Sequence, residues 1–286
     1  MSVFIATSRR RLVTNVLIKS LLLAGVIAAL LPLVLVIGYV FAKGLPAFSA
    51  DFFLTDPTGA FFGDQGGIRS AIIGTFAIVG LASLIAIPTG IALAVYLNEI
   101  GKKSKLASGI RYGVDILTGV PSIVFGLFIY SVLVIGDFMT GFAAWKGSLA
   151  LALLMLPVVI RAGEVSLAMV PTTLREAALA LGAPRWRVIL FVVLPSAVSG
   201  LVTGSLLAIA RTAGETAPLL FTVLGAQALT MSFVEPMNSL PLQIFNDIRQ
   251  PNPDLVTRAW GAALTLILLI LVTTLIARFA ARRNRI

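Results

Sequence analysis

Two pairs of ionisable residues interrupt apolar stretches of the sequence. Glu164 follows Arg161 by three positions, and Glu215 follows Arg211 by four. On a helix, both spacings place the arginine beside its glutamate on one face. Charged side chains cost about 2.5 to 3.5 kcal/mol each in the centre of a membrane span, so they normally face a bundle interior and pair there or line a pathway. Because arginine suits bidentate recognition of phosphate and a glutamate can hold it until an anion arrives, the pairs predict a stepwise anion route.

A structural interpretation of the same residues stays open at this point. Both pairs can be structural salt bridges, and the side chain of Arg161 can reach the membrane interface while its aliphatic stem stays buried. The spacing alone therefore establishes only two anion-compatible pairs.

The rest of the chain offers little catalytic chemistry. It contains no His and no Cys, which removes the commonest metal ligand and general base as well as thiolate chemistry. The string closest to a phosphate-binding Walker A loop, Gly101-Lys-Lys-Ser104, lacks the upstream glycine and has no Ser or Thr directly after its first lysine. The sequence thus predicts a protein that is not an enzyme and that uses no cofactor.

The composition indicates a membrane protein. Of the 286 residues, 58% are hydrophobic and 12% are charged, whereas soluble domains carry about 25% charged residues. The mean hydropathy is +1.02. A helix needs about 20 mainly apolar residues to cross a bilayer, and six runs meet or approach this length. We expect an all-α, polytopic protein whose six spans cover residues 20–42, 70–97, 114–135, 147–168, 190–218 and 259–279.

The positions of the charges set the expected orientation. Most of the 22 Lys and Arg residues lie in the N-terminal segment 1–19, in the second and fourth loops or near the C-terminus. Because Lys and Arg accumulate on the cytoplasmic side, we expect both termini in the cytoplasm. A transmembrane permease domain then covers residues 20–281, and residues 282–286 form a cytoplasmic tail.

A short amphipathic helix is predicted within the loop 171–187, between the fourth and fifth spans. Thr173 and Glu176 have the spacing of a capping box, and Gly182 followed by Pro184 is typical of a helix end. One apolar face has helical spacing and comprises Leu174, Ala177, Ala178 and Leu181. Since two turns of helix are marginal in water unless they pack against something, we expect a partner with a groove for this face.

This loop resembles the E-A-A…G…I-x-L-P signature of the membrane subunits of bacterial ABC importers. The matching residues here are Glu176, Ala177, Ala178, Gly182, Val192, Leu194 and Pro195. Valine replaces isoleucine at position 192, which keeps the apolar character. The resemblance implies a type I permease fold in which the loop helix is a cytoplasmic coupling helix, seated in a cleft of an ATPase subunit. Without the signature, an amphipathic helix resting on the membrane surface would explain the pattern equally well.

Two further segments look like the phosphate importer permeases of the PstA type. They are Gly119-Val-Pro-Ser-Ile-Val-Phe-Gly126 and Arg211-Thr-Ala-Gly-Glu-Thr-Ala-Pro-Leu-Leu-Phe-Thr222. The resemblance implies a bacterial inner-membrane protein that pairs with a PstC-type permease and two PstB-type ATPase subunits and receives phosphate from a PstS-type binding protein. It also implies that intramembrane Arg and Glu residues act in phosphate transport, which we apply to Arg161, Glu164, Arg211 and Glu215.

Close helix packing is expected near the middle of the fifth span. Gly200 and Gly204 have the small-xxx-small spacing that lets helices approach each other. The contact can be with the second permease or with a helix of the same subunit, and the sequence leaves both options open.

We therefore predict a permease that forms half of a phosphate pathway and works by alternating access, with ATP hydrolysis in a separate subunit. One alternative is an ATP-independent secondary transporter or channel for anions, and another is a non-transporting membrane scaffold. An apolar helix in the cytoplasm favours ATP-driven over ATP-independent transport, and arginines inside spans disfavour the scaffold.

Overall fold

The computed structural model describes residues 9–58, 66–102, 104–136 and 141–283. Within these residues the regular structure is helical. The α-helices are α1 (Arg9–Gly44), α2 (Ala50–Leu54), α3 (Arg69–Val95), α4 (Lys105–Gly119), α5 (Ser122–Ile129), α6 (Ala144–Ala168), α7 (Thr172–Ala180), α8 (Arg185–Val188), α9 (Leu194–Ala213), α10 (Ala217–Thr222), α11 (Leu240–Asp247) and α12 (Pro253–Arg283). Turns of π-helix continue α3, α5 and α8 at Tyr96–Ile100, Tyr130–Val134 and Ile189–Val193.

Five helical segments among the described residues are long and apolar enough to cross a membrane. Their most apolar windows have mean hydropathies of 1.8 to 2.8, and they lie at Arg9–Ala47, Arg69–Ile100, Ala144–Ala168, Arg185–Ala213 and Pro253–Phe279. A sixth candidate is the pair formed by α4 and α5 with its π turn, which is bent by 103°. The predicted all-α polytopic fold is confirmed, and the number of spans is six when the bent pair counts as one.

The third predicted span, residues 114–135, is not one straight helix. α4 ends at Gly119, Val120 is extended with ψ 129°, and α5 starts after Pro121. Proline lacks the N–H that a continuing helix needs and disfavours helical geometry at the residue before it. The apolar run therefore contains a sharp bend that its hydropathy did not reveal.

α6 is the central helix of the bundle. It packs between α3 and α9, with Gly163 of α6 facing Ala94 of α3 and Gly204 of α9 facing Ala162 of α6. α3 runs parallel to α6, while α9 runs antiparallel to it. Gly200 lies against Ser166, so the small residues of α9 mediate packing within the subunit, which decides between the two options that the sequence left open.

α1 lies largely apart from the bundle. It contacts α12 near its C-terminal end, where Tyr39 packs edge-to-face against Trp260 with ring centroids 5.3 Å apart and Gly44 approaches Leu264. Nearly all its other residues are exposed. A helix that is apolar on all sides must be covered by lipid or by another protein.

Candidate anion pathway and coupling surface

The helix predicted in the loop 171–187 is present as α7, but its predicted capping box is not. Pro171 holds the N-cap position and no side chain caps the helix. The backbone N–H of Leu174 donates to the carbonyl of Pro171 at 3.3 Å. Because the fixed backbone of Pro171 (φ −59°) already directs the chain into the first turn, Thr173 lies inside the helix and cannot cap it.

The predicted helix end at Gly182 is confirmed. Gly182 has φ +79°, which is the left-handed conformation that glycine adopts without steric cost. Its N–H donates to the carbonyl of Leu179 at 2.9 Å, and the N–H of Ala183 donates to the carbonyl of Ala178 at 3.2 Å. These two bonds form a Schellman motif, which satisfies carbonyl groups that the end of a helix leaves free.

Most of the surface of α7 is free of contacts within the subunit. Of its described residues, Arg175 and Ala178 are half-buried and the others are exposed. The predicted apolar face is therefore mostly uncovered, and Leu181, which follows the helix, is 89% exposed. The described part of this chain does not supply the groove that the sequence predicts.

Arg175 attaches α7 to the neighbouring helices. Its guanidinium donates to both carboxylate oxygens of Glu99, at 3.2 and 2.7 Å. It also donates to the carbonyls of Leu167 (2.9 Å) and Val170 (2.6 Å) at the end of α6. The sequence does not predict this anchor, because Glu99 lies 76 positions away and no local pattern joins the two residues.

Arg161 and Glu164 form the predicted pair, and the structure adds two further partners. Nη1 of Arg161 donates to Oε2 of Glu164 at 2.8 Å. Nε of Arg111, on α4, donates to Oε1 of the same carboxylate, also at 2.8 Å. On its other side Arg161 forms an ion pair with Asp115 of α4. Glu164 is thus shared by two arginines, and Arg161 is shared by two carboxylates.

The same network reaches the end of α3 through Arg111. Nη2 of Arg111 donates to the carbonyl of Leu97 at 2.7 Å. Two positions further on, Glu99 binds Arg175, and the Asn98 amide donates to Glu99 at 3.0 Å. The π turn at 96–100 therefore contacts both the arginine that holds α7 and the arginine that holds Glu164. Such turns occur often at functional sites.

Arg211 and Glu215 do not form the predicted pair. α9 ends at Ala213 with Gly214 as its C-cap, so Glu215 lies beyond the helix and the four-residue spacing no longer places the two side chains together. Pro218, which has no N–H to donate, lies in the first turn of α10. Arg211 is exposed, and no described residue forms an ion pair or a side-chain hydrogen bond with it. The fifth predicted span, 190–218, is interrupted at the same place.

The two arginines lie at different depths on neighbouring helices. Gly204 of α9 faces Ala162 of α6, next to Arg161. Arg211 is seven residues further along α9, which corresponds to about 10 Å along a helix axis at 1.5 Å per residue. Arg161 thus lies on the side of α7, and Arg211 lies towards the opposite end of the bundle.

A polar cluster at that opposite end was not predicted. Asp247 and Arg258 form a buried, bidentate ion pair at 2.7 and 2.8 Å. The Gln243 amide donates to Asp247 at 2.7 Å, and the Asn238 amide donates to Gln243 at 2.7 Å. These four side chains line a cavity of about 290 Å³. Only the packing of α11 against α12 brings Asp247 to Arg258.

Comparison with known proteins gives the family. The model of the family described as "Binding-protein-dependent transport system inner membrane component" matches residues 86–286. The phosphate transport system permease protein PstA of Haemophilus influenzae is 41% identical over 264 residues, 92% of each chain. PstA of Yersinia pestis is 45% identical, over 77% of this chain and 74% of the relative. PstA 1 of Mycobacterium tuberculosis is 40% identical, over 99% and 94%.

Solved structures show the same fold. A chain of a bacterial ABC transporter involved in the import of the acidic polysaccharide alginate aligns with a TM-score of 0.67 at 18% identity, covering 96% of this chain and 100% of that one. A chain of the inward-facing MetNI methionine ABC transporter aligns with a TM-score of 0.56 at 22% identity, covering 76% and 92%. Sequence and fold agree: the chain belongs to the inner membrane components of binding-protein-dependent transport systems and, within them, to the phosphate transport system permeases of the PstA type.

Proposed function

We propose that this chain forms one half of the translocation pathway of an ATP-driven importer of inorganic phosphate, and that Arg161, Glu164, Arg211 and Glu215 belong to that pathway. The family relationship supports phosphate as the substrate. The observation that carries the residue assignment is the contrast between two arginines on adjacent helices. Arg161 is held by carboxylates, whereas Arg211 is exposed and no described carboxylate holds it.

Arg211 is the capture residue in this proposal. A guanidinium offers a planar pair of donors to a phosphate group, and hydrogen bonds between two charged groups are about twice as strong as neutral ones. With no carboxylate to displace, an incoming anion meets the full charge of Arg211. Glu215 lies just beyond the end of α9. In this proposal its negative charge repels the anion and so limits how long the anion stays in this part of the pathway.

Arg161 is the release residue. Glu164 and Asp115 already accept hydrogen bonds from its two terminal nitrogens, so an anion that reaches Arg161 competes with two carboxylates. Competition of this kind weakens binding, and a transporter must bind its substrate strongly enough to admit it and weakly enough to let it leave. The pathway therefore runs from an open arginine to one that is already paired.

We place α7 and both termini on the cytoplasmic side. The exposed surface of α7 then fits the cleft of a PstB-type ATPase subunit, one of a pair, and a PstC-type permease completes the pathway. A PstS-type binding protein delivers phosphate at the other end. The residues proposed for ATPase coupling are Glu176, Ala177, Ala178, Gly182, Leu194 and Pro195. ATP-driven closure of the ATPase pair moves α7, and the spans rock to open the pathway to each side in turn.

Phosphate uptake by the complete complex in proteoliposomes loaded with ATP tests this proposal. The assay uses radiolabelled inorganic phosphate, with sulfate as competitor. Arg211→Gln should leave the complex assembled and lower uptake about tenfold to a hundredfold, because a hydrogen bond to a charged group contributes about 1.5 to 3 kcal/mol. Arg211→Lys keeps the charge without the planar donor pair and should retain intermediate uptake.

Arg249→Gln is the matched control, since Arg249 is an exposed arginine at the same end of the bundle. It should transport at the parental rate. Parental uptake by Arg211→Gln would show that Arg211 is structural. Failure of the parent complex to take up phosphate, or equal uptake of sulfate, would refute the assignment of the substrate.

A further inference from the structure

We propose that Glu99 and Arg175 are positioning residues that transmit movement of α7 to Arg161. This inference rests on the proposed function. It concerns two residues that lie outside the predicted pathway and outside the signature of the loop, and it assigns them to the step between ATP hydrolysis and phosphate movement.

The first step is the attachment of α7. Arg175 makes four hydrogen bonds outside its own helix, two to Glu99 and two to the carbonyls that end α6. The only other half-buried residue of α7 is Ala178. Arg175 is therefore the side chain of α7 that connects it by hydrogen bonds to both α6 and the π turn, beside the apolar contact of Ala178 with the bundle, and part of any force applied to α7 reaches the bundle through its guanidinium.

The second step is the π turn at 96–100, which receives this force. Glu99 binds Arg175 with both oxygens, and the carbonyl of Leu97, two positions earlier, accepts from Arg111. These two bonds lie within one turn of helix, so a movement of α7 that shifts the backbone at Glu99 also moves the carbonyl of Leu97. The Asn98 amide, which donates to Glu99, stiffens the connection further.

The third step is the sharing of Glu164. Arg111 donates to Leu97 and to Glu164, while Arg161 donates to the other oxygen of Glu164. Movement of Leu97 withdraws Arg111 from Glu164. The carboxylate then has Arg161 as its sole guanidinium partner in this network and holds it more strongly, so Arg161 binds a passing anion less well. Two pairing states of Glu164 thus correspond to two affinities of Arg161.

Phosphate transported per ATP hydrolysed, measured with the complete complex and radiolabelled inorganic phosphate, separates this role from a structural one. Glu99→Gln keeps the size of the side chain and leaves Arg175 bound to the α6 carbonyls. We expect an assembled complex that still hydrolyses ATP but moves about tenfold less phosphate per ATP, within the range typical of a coupling free energy between two sites. If the pair of Glu99 with Arg175 were merely structural, its loss would change the yield or melting temperature of the complex and leave the ratio of phosphate to ATP unaltered.

Asp56→Asn is the matched control. It breaks a second bidentate arginine–carboxylate pair, that of Asp56 with Arg69, whose bonds measure 3.1 and 2.7 Å at the end opposite α7. Its phosphate-to-ATP ratio should equal that of the parent. Arg111→Lys gives a second approach: lysine keeps the charge but lacks the fork that binds Leu97 and Glu164 together, so the ratio should fall even though Glu99 and Arg175 are intact.

A parental ratio in an assembled complex carrying either Glu99→Gln or Arg111→Lys would overturn this inference while leaving the proposed function in place. If the parent complex itself transports no phosphate, the result refutes both the proposed function and this inference. If Glu99→Gln prevents assembly, the ratio measured for Arg111→Lys decides.

Discussion

Gly126 of α5 lies against Pro218 of α10, so closely that a Cβ at position 126 would be 2.6 Å from the Cα of Pro218. Each residue belongs to one of the two segments that resemble the phosphate permeases. Those segments, separated by some 90 positions in the chain, therefore meet in the fold. The contact holds the bent helix α5 against α10, directly beyond the end of α9 that carries Arg211.

Gly126→Ala should destabilise the protein. An added methyl group has no room beside the backbone of Pro218, and inserting atoms into a packed contact typically costs about 1 to 3 kcal/mol. Thermal unfolding in detergent measures the effect as a lower midpoint. Gly119→Ala in the same segment is the control, because a Cβ there meets nothing within 4 Å. Equal midpoints for the two variants would contradict the tight contact.

Asp247→Asn should be among the most destabilising changes at the end opposite α7. Asp247 and Arg258 are only 6% and 7% exposed, and removing one partner of a buried ion pair costs about 3 to 5 kcal/mol, since a buried charge loses its compensation. The expected result is a clearly lower midpoint of unfolding, together with reduced yield.

The pair of Asp56 with Arg69 provides the comparison for that buried pair. Arg69 is 45% exposed, and exposed ion pairs contribute about 0 to 1 kcal/mol. Asp56→Asn should therefore change the midpoint little. If both aspartate variants lost the same stability, burial would not be the source of the difference.

The pH dependence of the Asp56 pair follows from its geometry. The hydrogen bonds and the charge of Arg69 hold the pKa of the Asp56 carboxyl below its ordinary value. A lowered pKa in the folded state means that the pair stabilises the protein above the unfolded pKa of about 3.9. This contribution is lost as the pH falls through the lowered value. The small difference in midpoint between the parent and Asp56→Asn should thus be largest near pH 7 and vanish in strong acid. A difference that grew on acidification would have the wrong sign.

What the sequence predicts well here is local. A glycine followed closely by a proline is enough to predict the helix end at Gly182. Three residues of continuous helix are enough to predict the contact of Arg161 with Glu164. Where the helix is interrupted or begins early, sequence spacing no longer predicts the contact: α9 ends before Glu215, and Pro171 is the N-cap of α7, ahead of Thr173.

The partners that complete the site are distant in sequence. Arg111 lies 53 positions from Glu164, and Glu99 lies 76 positions from Arg175. Their pairing depends on how α3, α4 and α6 pack, and one sequence carries no periodic signal for it. Arg111 and Arg175 lie where an excess of positive charge is expected on the cytoplasmic side. In the fold Arg111 also joins α4 to Leu97 and Glu164, and Arg175 joins α7 to Glu99 and to the end of α6.

Gly182→Val should uncouple α7 from the ATPase subunit that we propose as its partner. Gly182 has φ +79° and a Cβ there meets no other atom within 4 Å, so the cost is conformational: a residue other than glycine in this region costs about 1 to 3 kcal/mol, and a β-branched residue is the worst case. Loss of the Schellman motif frays the last turn of α7 and redirects the chain towards Pro184. Co-purification of the ATPase subunit and phosphate uptake should both fall. Gly182→Asn should retain most of the co-purification and most of the uptake, because asparagine tolerates the left-handed conformation. If the valine variant behaved like the parent, the helix end would not determine how α7 docks.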